Sequence, residues 1–282
     1  MKKFFSIFLI VFFMACSEDG TPFKVADPLF DSSVEPITDG MWYKPDLNTT
    51  WQWQLSGTLN ANYTVDLYDV DLFDTSVTDI ITLKLGGKKV ICYFSAGSYE
   101  NWREDAIDFP YAVKDENLDG WIGEKWLDIS NESLAPIMKA RLDLAVQKGC
   151  DGVEPDNIDG YVNNSGFALS SDNQLAYNKF IANEARQRGL SIGLKNDLDQ
   201  IIELEPYYDF AVNEQCFEFS ECDKLSPFTD ANKSVFNAEY AQKYRDNTLG
   251  ARNIMCSESI SIHFQTLILD LKLDDTYRDD CK

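Results

Sequence analysis

The sequence predicts an α/β protein in which a single (β/α)8 TIM-like barrel follows an N-terminal signal and a tether. Short stretches that suit strands recur with amphipathic helical segments between them, which is the pattern of βαβ units and a parallel sheet. A chain of 282 residues suits one such barrel. Polar and charged residues gather where the predicted strands end, and barrels of this class carry their sites at those ends.

The first residues predict export. The basic start Met1–Lys3 is followed by the apolar run Phe4–Met14, which is too short to span a membrane as a helix. The next two residues, Ala15 and Cys16, resemble a bacterial lipobox. Residues 1–16 are therefore predicted to be a lipoprotein-type signal peptide, with Cys16 lipidated. We expect an exported protein that a lipid anchor holds to a membrane of the cell envelope or cell surface; ordinary secretion with a coincidental cysteine is the alternative.

Composition separates a tether from a domain. Residues 17–45 are acidic, carry Pro and Asp and show little periodicity, which predicts a flexible tether, and residues 46–282 are predicted to form the barrel domain. The chain has 47 acidic against 25 basic residues and a formal net charge of -22. Nucleic acid is therefore a poor partner and a cationic ligand is favoured, although such charge also serves solubility.

The first half of the domain predicts three strands and one helix. Trp51–Leu55 alternates polar and aromatic residues, and Val65–Phe73 (VDLYDVDLF) has two distinct faces. Thr78–Leu85 suits a short helix that two glycines end. Lys89–Phe94 (KVICYF) is almost continuously apolar, as expected of a strand buried on both faces of a parallel sheet. Residues 99–130 are rich in Trp and acids, and a long loop of that kind is usually functional.

The second half repeats the alternation of helix and strand. Apolar residues recur at helical spacing in segments that end at glycine or lead directly into an apolar strand. The predicted helices are 133–148, 172–188 and 198–204. The predicted strands are 150–156, 190–194, 208–214, 233–240 and 260–269.

The acidic stretch 150–161 is the strongest candidate site. Four carboxylates fall within nine residues where a strand ends, and residues two apart on a strand share a face, so Glu154 and Asp156 point the same way. Like charges that close raise one another's pKa. A solvated acidic loop or a calcium loop is the alternative interpretation. A second strand end of this kind, Asn213–Glu214, follows later and favours a site.

Further polar residues at strand ends complete a predicted polar cup. It comprises Asp71, Asp156, Asn157, Lys195, Asn196, Glu214 and Glu239. The one histidine, His263, lies within the last predicted strand and is expected to be a core residue, which excludes a Ser-His-Asp triad and His-rich metal sites. No glycine-rich phosphate loop is present, so no cofactor and no metal are predicted.

Paired carboxylates beside aromatic residues suit the cleavage of a glycosidic bond, which needs an acid for the leaving oxygen and a carboxylate at the anomeric carbon or its water. Two other chemistries remain open. Lys195 would suit a Schiff-base aldolase. Asp156 and Glu154 would suit a metal site with oxygen ligands.

Eight segments resemble, in order from about Trp51 to the C-terminus, the endo-α-1,4-polygalactosaminidase family, glycoside hydrolase family 114. They are WQWQLSG, DVDLFDTS, KVICYFSAGSYENWRED, GEKWLDIS, GCDGVEPDNIDGY, GLSIGLKNDLDQ, DFAVNEQCFEFSEC and VFNAEY. The resemblance implies a TIM-like barrel that hydrolyses α-1,4-linked galactosamine-containing polysaccharide, with catalytic carboxylates at Asp156 and Glu214. Galactosamine without its acetyl group is a cation, which suits an acidic protein.

The resemblance favours a retaining mechanism, which sequence alone leaves open. Asp156 is expected to be the nucleophile, held ionised by Asn157, and Glu214 the general acid/base, its pKa raised by apolar neighbours. The residues expected to contact substrate are Asp71, Tyr93, Glu154, Asn157, Lys195, Asn196 and Glu239. A catalytically inactive barrel that binds polysaccharide at the cell surface is the alternative.

Among the cysteines other than Cys16, one pair stands out as a predicted disulfide. Cys216 and Cys222 flank a short loop beside Glu214, so we expect them to pair, since an exported chain meets oxidising conditions. Cys256 could pair with Cys281 near the C-terminus. The remaining two, Cys92 and Cys150, lie in or against apolar strands and are expected to be buried thiols.

Overall fold

The computed structural model describes residues 28–282 and shows an α/β fold with a curled parallel sheet, consistent with a TIM-like barrel. The signal peptide and lipidated Cys16 of the sequence prediction lie outside the described residues. Among residues 28–282, no helix is both long enough and apolar enough to cross a membrane.

The secondary-structure elements alternate along most of the chain. The strands are β1 Trp51–Gln54, β2 Leu67–Asp71, β3 Lys89–Ser95, β4 Ser98–Glu100, β5 Lys114–Asn117, β6 Glu124–Leu127, β7 Gly152–Asp156, β8 Ser191–Lys195, β9 Phe210–Glu214, β10 Val235–Glu239, β11 Phe264–Leu269 and β12 Arg278–Asp280. The helices are α1 Val77–Leu85, α2 Ala135–Lys148, α3 Ser171–Gln187, α4 Ile201–Leu204, α5 Cys216–Phe219, α6 Ser226–Asp230, α7 Gln242–Arg245 and α8 Ala251–Ser261.

Eight strands run parallel in the main sheet. Their order is β1-β2-β3-β7-β8-β9-β10-β11, and β12 adds to β11 in the antiparallel sense. The sheet curls until its two ends meet. The Trp51 indole of β1 donates to the carbonyl of Gln265 on β11 at 2.8 Å, and Arg278 of β12 donates to the side chain of Gln52 at 2.5 Å. The carboxyl ends of all eight strands therefore lie around one rim.

The pleat of the strands divides the apolar residues into two layers. The concave face of the sheet packs large side chains against one another, among them Trp51, Trp53, Phe210 and Phe236. The convex face packs against the helices, with Cys92 and Phe94 of β3 meeting apolar residues of α2 and α3. A side chain near a strand end consequently faces either the rim of the concave face or the helical layer.

Local sequence explains where the two long helices begin and end. Ser170 accepts from the backbone of Asn173 while Asn173 bonds back to Ser170, so a capping box starts α3. Gly149 ends α2 with a φ of 88°, a conformation that glycine adopts without strain. The helix therefore stops one residue before the chain turns into the approach to β7.

Three disulfides join Cys92 to Cys150, Cys216 to Cys222 and Cys256 to Cys281. The expectation that Cys92 and Cys150 are buried thiols is wrong. Cys92 faces the helical layer from β3, and Cys150 immediately precedes the neighbouring strand β7, so the two sulfurs meet. Apolar surroundings do not oppose this bond, since a disulfide has no polar hydrogen to satisfy.

Part of the predicted tether, residues 28–45, makes contacts with the domain. The ring of Phe30 contacts Tyr177 and Phe180 of α3, at 5.2 and 4.8 Å between centroids. Further along, the Trp42 indole donates to the Asp209 carboxylate at 3.0 Å. The average composition of residues 17–45 is acidic and does not reveal that Phe30 and Trp42 make these contacts with the domain.

The prediction for residues 260–269 is corrected in its first part. The helix α8 continues to Ser261, and β11 begins only at Phe264. Between them, His263 has a φ of 63° and is exposed in the turn, so it is not the core residue that the sequence predicted. The alternation of apolar residues continues through the turn, which is why sequence alone joins the two elements.

Candidate active site

Two carboxylates at the rim of the sheet both form an ion pair with one lysine. The Lys195 Nζ, at the end of β8, lies 2.9 Å from Asp156 Oδ1 at the end of β7 and 3.1 Å from Glu214 Oε2 at the end of β9. It also lies 3.7 Å from Glu154 Oε1. The side chains of Asp156 and Glu214 are 17% and 26% exposed, whereas that of Lys195 is 3% exposed. The ammonium thus lies beneath two carboxylates that reach solvent.

The lysine is held in its charged form. Burial opposes the charge, but Asp156, Glu214 and Glu154 outweigh it and raise the pKa of Lys195 well above its ordinary value. A Schiff-base enzyme needs a neutral amine, usually obtained by a lowered pKa. The geometry therefore argues against the aldolase alternative and for an electrostatic role of Lys195.

A pair of buried acids lies below the lysine. Burial raises the pKa of Glu154 well above its ordinary value, and the neighbouring Asp69 of β2 raises it further. Burial also raises the pKa of Asp69, to about 7, and the charge of Lys195 opposes this rise. Both shifts favour the protonated form, as expected of close buried carboxyls.

Asp156 is oriented from three sides. Tyr93 of β3 donates its hydroxyl to Oδ2 at 3.1 Å, and the backbone N–H of Asn157 donates to Oδ1 at 2.7 Å. The Asn157 side chain in turn donates to Ser95 Oγ at 2.9 Å. The bonds from Tyr93 and the Asn157 backbone, together with the contact to Lys195, fix the orientation of the carboxylate.

The backbone beneath this arrangement depends on one glycine. Asn157 has a φ of 59°, and its carbonyl oxygen lies against Gly97, where a Cβ atom would come within 1.6 Å of it. The N–H groups of Ala96 and Gly97 both donate to the Asp156 carbonyl. Only glycine at position 97 allows the loop after β3 to clamp the end of β7 this closely.

Glu214 has partners of its own. Tyr240, which follows β10, donates its hydroxyl to Oε1 at 2.5 Å, and Asn196 accepts from the Glu214 backbone N–H at 3.1 Å. With Lys195 on Oε2, the carboxylate is surrounded by polar groups. Both oxygens of the Glu214 carboxylate therefore have a polar partner.

A cleft of about 330 Å³ opens above the two carboxylates. Aromatic residues from two parts of the chain line it, Trp53 from β1 and Trp121 and Trp126 from the segment between β3 and α2. That segment contains a separate sheet of β4, β6 and β5. Carboxylates beside aromatic walls are the combination that a sugar chain needs, because the walls contact ring faces and the acids act on the bond between rings.

The structure brings most of the predicted site residues to this cleft, but not all. Asp156, Asn157, Tyr93, Lys195, Asn196 and Glu214 line it. Glu154 lies fully buried below it. Asp71 instead pairs with Arg103, at 2.6 Å, and Glu239 is fully buried on the convex side, where it accepts from the Phe217 backbone at 2.8 Å.

Sequence reasoning missed Asp69, Tyr240 and Glu124. Asp69 shares a strand face with Asp71, so the same alternation that drew attention to Asp71 could have found it. Tyr240 is adjacent to Glu239 and therefore points to the opposite face. Glu124 carries no signal of its own, because it lies in an irregular segment whose fold the sequence does not indicate.

In residues 28–282, no group of three His, Cys, Asp or Glu side chains could hold a metal ion. A separate cavity of about 280 Å³ lies where β1 approaches β12. Its acid, Asp280, is paired with Arg278 and Lys282, so that cavity offers no pair of free carboxylates.

Comparison with known proteins places these features in a family. The model of glycoside-hydrolase family GH114 matches residues 32–282. The crystal structure of Ega3 from Aspergillus fumigatus, in complex with galactosamine, is 39% identical, with a TM-score of 0.81 over 86% of this chain and 99% of that one. No curated protein matches.

A more distant structure shares the fold. The glycoside hydrolase domain of PelA from Pseudomonas aeruginosa is 13% identical, with a TM-score of 0.63 over 80% of this chain and 96% of that one. The resemblance inferred from the sequence segments is confirmed by the family match over nearly the whole described chain. The chain belongs to glycoside-hydrolase family GH114 and is a glycosidase of the polygalactosaminidase type.

Proposed function

We propose that this protein is an endo-acting, retaining glycosidase that cleaves α-1,4-linked galactosamine-containing polysaccharide in a complete (β/α)8 barrel. The observation that carries the proposal is the contact of Asp156 and Glu214 with the same Lys195 ammonium, at 2.9 and 3.1 Å, on the floor of an aromatic cleft. Asp156 is the nucleophile and Glu214 the general acid/base.

The shared lysine limits the distance between the two carboxylates. Their contacting oxygens can be no further apart than the two lysine distances together, about 6 Å. Inverting glycosidases leave roughly 6.5–9.5 Å for a water, whereas retaining ones have the carboxyls about 5–5.5 Å apart. The shared ammonium allows the closer spacing, and the family resemblance favours the retaining mechanism.

In the first step, an Asp156 oxygen attacks the anomeric carbon while Glu214 gives its proton to the leaving oxygen, which breaks the glycosidic bond and leaves a glycosyl ester on Asp156. In the second step, Glu214 takes a proton from water, which attacks the same carbon and releases Asp156. Lys195 stabilises the negative charge on whichever carboxylate is ionised at each stage. Tyr93 and Tyr240 hold the two acids in place.

The substrate assignment draws on charge and on the relative. The formal net charge is -22, which attracts a cationic polymer, and Ega3 was crystallised with galactosamine. A galactosamine unit without an acetyl group carries such a charge. We therefore expect a partly deacetylated galactosaminan to be cleaved faster than the fully acetylated polymer.

The mechanism is tested by following the anomeric configuration of the first products by proton NMR. Retention is expected, and inverted product would contradict the mechanism. Asp156→Asn and Glu214→Ala should each reduce the rate on polymer by several orders of magnitude. Glu214→Ala should regain activity on substrates with good leaving groups, since those need no proton. Polymer binding by the wild-type protein without any cleavage would favour the alternative of an inactive binding barrel.

For the N-terminus we propose a signal peptide at residues 1–16, lipidation of Cys16 and a membrane anchor in the cell envelope. Support comes from the basic start, the apolar run and the Ala15–Cys16 pair, and from three disulfides, which suit an oxidising compartment. Cys16→Ser should move the protein from the membrane fraction to the soluble fraction. Unchanged membrane association would contradict lipidation.

A further inference from the structure

Glu124 is a carboxylate in the cleft that the proposed chemistry does not use. It lies at the start of β6, is 6% exposed and lines the cleft together with Trp121, Trp126 and Asp156. Its Oε2 accepts from Ser98 Oγ at 2.8 Å. The carboxylate is thus fixed in position beside two aromatic side chains, within the same cleft as the nucleophile.

Among residues 28–282, no basic residue forms an ion pair with this carboxylate. The cation that lowers its pKa is Arg103, and that guanidinium already pairs with Asp71 and Glu100, at 2.6 and 2.8 Å. None of the ion pairs within residues 28–282 includes Glu124. The catalytic acids differ in this respect, because both contact Lys195.

Burial raises the pKa of Glu124 to about 7, the bond from Ser98 opposes the rise, and Glu100 and Asp156 add to it. An ionised carboxylate in such a place is costly unless a cation arrives. A ligand ammonium would remove that cost, whereas a neutral acetamide would not. The cleft therefore contains a position that distinguishes a charged amino sugar from its acetylated form.

We propose that Glu124 binds the ammonium group of a galactosamine unit and is the residue that gives the cleft its preference for deacetylated substrate. The inference rests on the proposed function and extends it to a specificity-determining residue. The sugar ring of that unit would lie against Trp121, which is half exposed at the mouth of the cleft.

One other carboxylate in the cleft must be weighed against Glu124. Asp159 also lacks an ion pair within residues 28–282, and burial raises its pKa to about 6. Asp159 follows Asp156 by three residues in the sequence, and its Oδ1 already accepts a hydrogen bond from the Asn163 side chain. Glu124 is favoured because Trp126, two residues further along β6, shares its strand face, so a sugar ring can be held directly beside the carboxylate.

The test measures binding by calorimetry in the Asp156→Asn background, so that turnover does not interfere. The probes are an α-1,4-linked galactosamine oligomer and the same oligomer after N-acetylation. We expect the deacetylated oligomer to bind more tightly. Adding Glu124→Gln should weaken its binding by about tenfold, the loss typical of a hydrogen bond to a charged group, and bring the two affinities together.

The matched control is Glu116→Gln, which makes the same change at an exposed position of the same segment and should alter neither affinity. A preference that survives Glu124→Gln, or that is lost in Asp159→Asn instead, would overturn the inference. So would equal binding of the two oligomers by the parent variant. Cleavage of polymer by the wild-type protein is measured separately, so the proposed function and the role of Glu124 can fail independently.

Discussion

At the scale of single residues, Lys195 organises the site. Its ammonium contacts both proposed catalytic carboxylates and lies above Glu154 and Asp69, whose pKa values burial raises. Without this charge, four acids would share one end of the sheet with nothing to offset their repulsion. Only an amine of raised pKa can stay charged there, and the acids themselves supply the shift.

Lys195→Met should therefore lower kcat by about a hundredfold or more, because charge that develops on the carboxylates loses its preorganised partner. The rate on polymer is the measurement, with circular dichroism to verify folding. Lys139→Met is the control, since that lysine pairs with Glu184 on the helical surface and lies far from the cleft in the fold. A Lys195→Met enzyme with nearly normal kcat would contradict the electrostatic role.

The sequence predicts the central residues of the site but not their surroundings. Asp156, Lys195 and Glu214 are each the last residue of a strand, a position that the pattern of apolar residues reveals. Glu239 was expected beside them, yet the pleat turns it outward and brings Tyr240 in. A shift of one residue along a strand changes the face, and sequence periodicity rarely fixes a strand end that closely.

At the scale of elements, two disulfides act on different parts of the fold. Cys216–Cys222 closes a short loop that starts two residues after Glu214, and Cys92–Cys150 ties β3 to the approach of β7 across 58 residues. In the chain-entropy model the short loop contributes about 2 kcal/mol and the long one about 4 kcal/mol to the free energy of unfolding.

We expect alanine at both positions of Cys216–Cys222 to reduce kcat more, and alanine at both positions of Cys92–Cys150 to reduce stability more. The short loop contains α5, whose Phe217 backbone is anchored on Glu239, so its main effect is on the position of Glu214. Urea unfolding and kcat at 25 °C give the two readouts. Activity losses that simply follow the losses of stability would contradict this division.

Element by element, the eight strands of the sheet were predictable because each is an apolar or alternating run of the right length. The three-stranded sheet of residues 98–127 was not, since β5 is Lys114–Asn117, a stretch with no apolar residue. Pairing with β6 rather than intrinsic preference makes it a strand. Glu124 therefore could not be placed from sequence.

At the scale of the whole molecule, several buried carboxyls link stability to pH. Burial raises the pKa of Asp69, Glu124 and Glu239 to about 7, and that of Asp197 to about 8. The native state therefore holds protons that the unfolded chain has already released. The stability that these groups contribute is complete below their unfolded pKa values and is lost as pH rises through about 7 to 8.

The free energy of unfolding in urea should consequently be lower at pH 8 than at pH 6, with each such carboxyl adding a slope of at most about 1.4 kcal/mol per pH unit. Asp197→Asn should reduce that slope, because its amide oxygen can still accept from Asn178 without carrying charge. Asp119→Asn, at an exposed position, should leave it unchanged. Stability that rises between pH 6 and pH 8 would contradict the prediction.

The separate sheet formed by β4, β5 and β6 affects how substrate specificity can change in a protein of this fold. Its residues leave the barrel after β3 and return before α2 as one continuous excursion, and they bring Trp121, Glu124 and Trp126 to the cleft. The acids and the lysine come from β7, β8 and β9. The segment proposed to contact the sugar is thus separate in sequence from the strands that carry the proposed catalytic residues, so we expect an exchange of residues 98–127 to alter substrate specificity while the reaction stays the same.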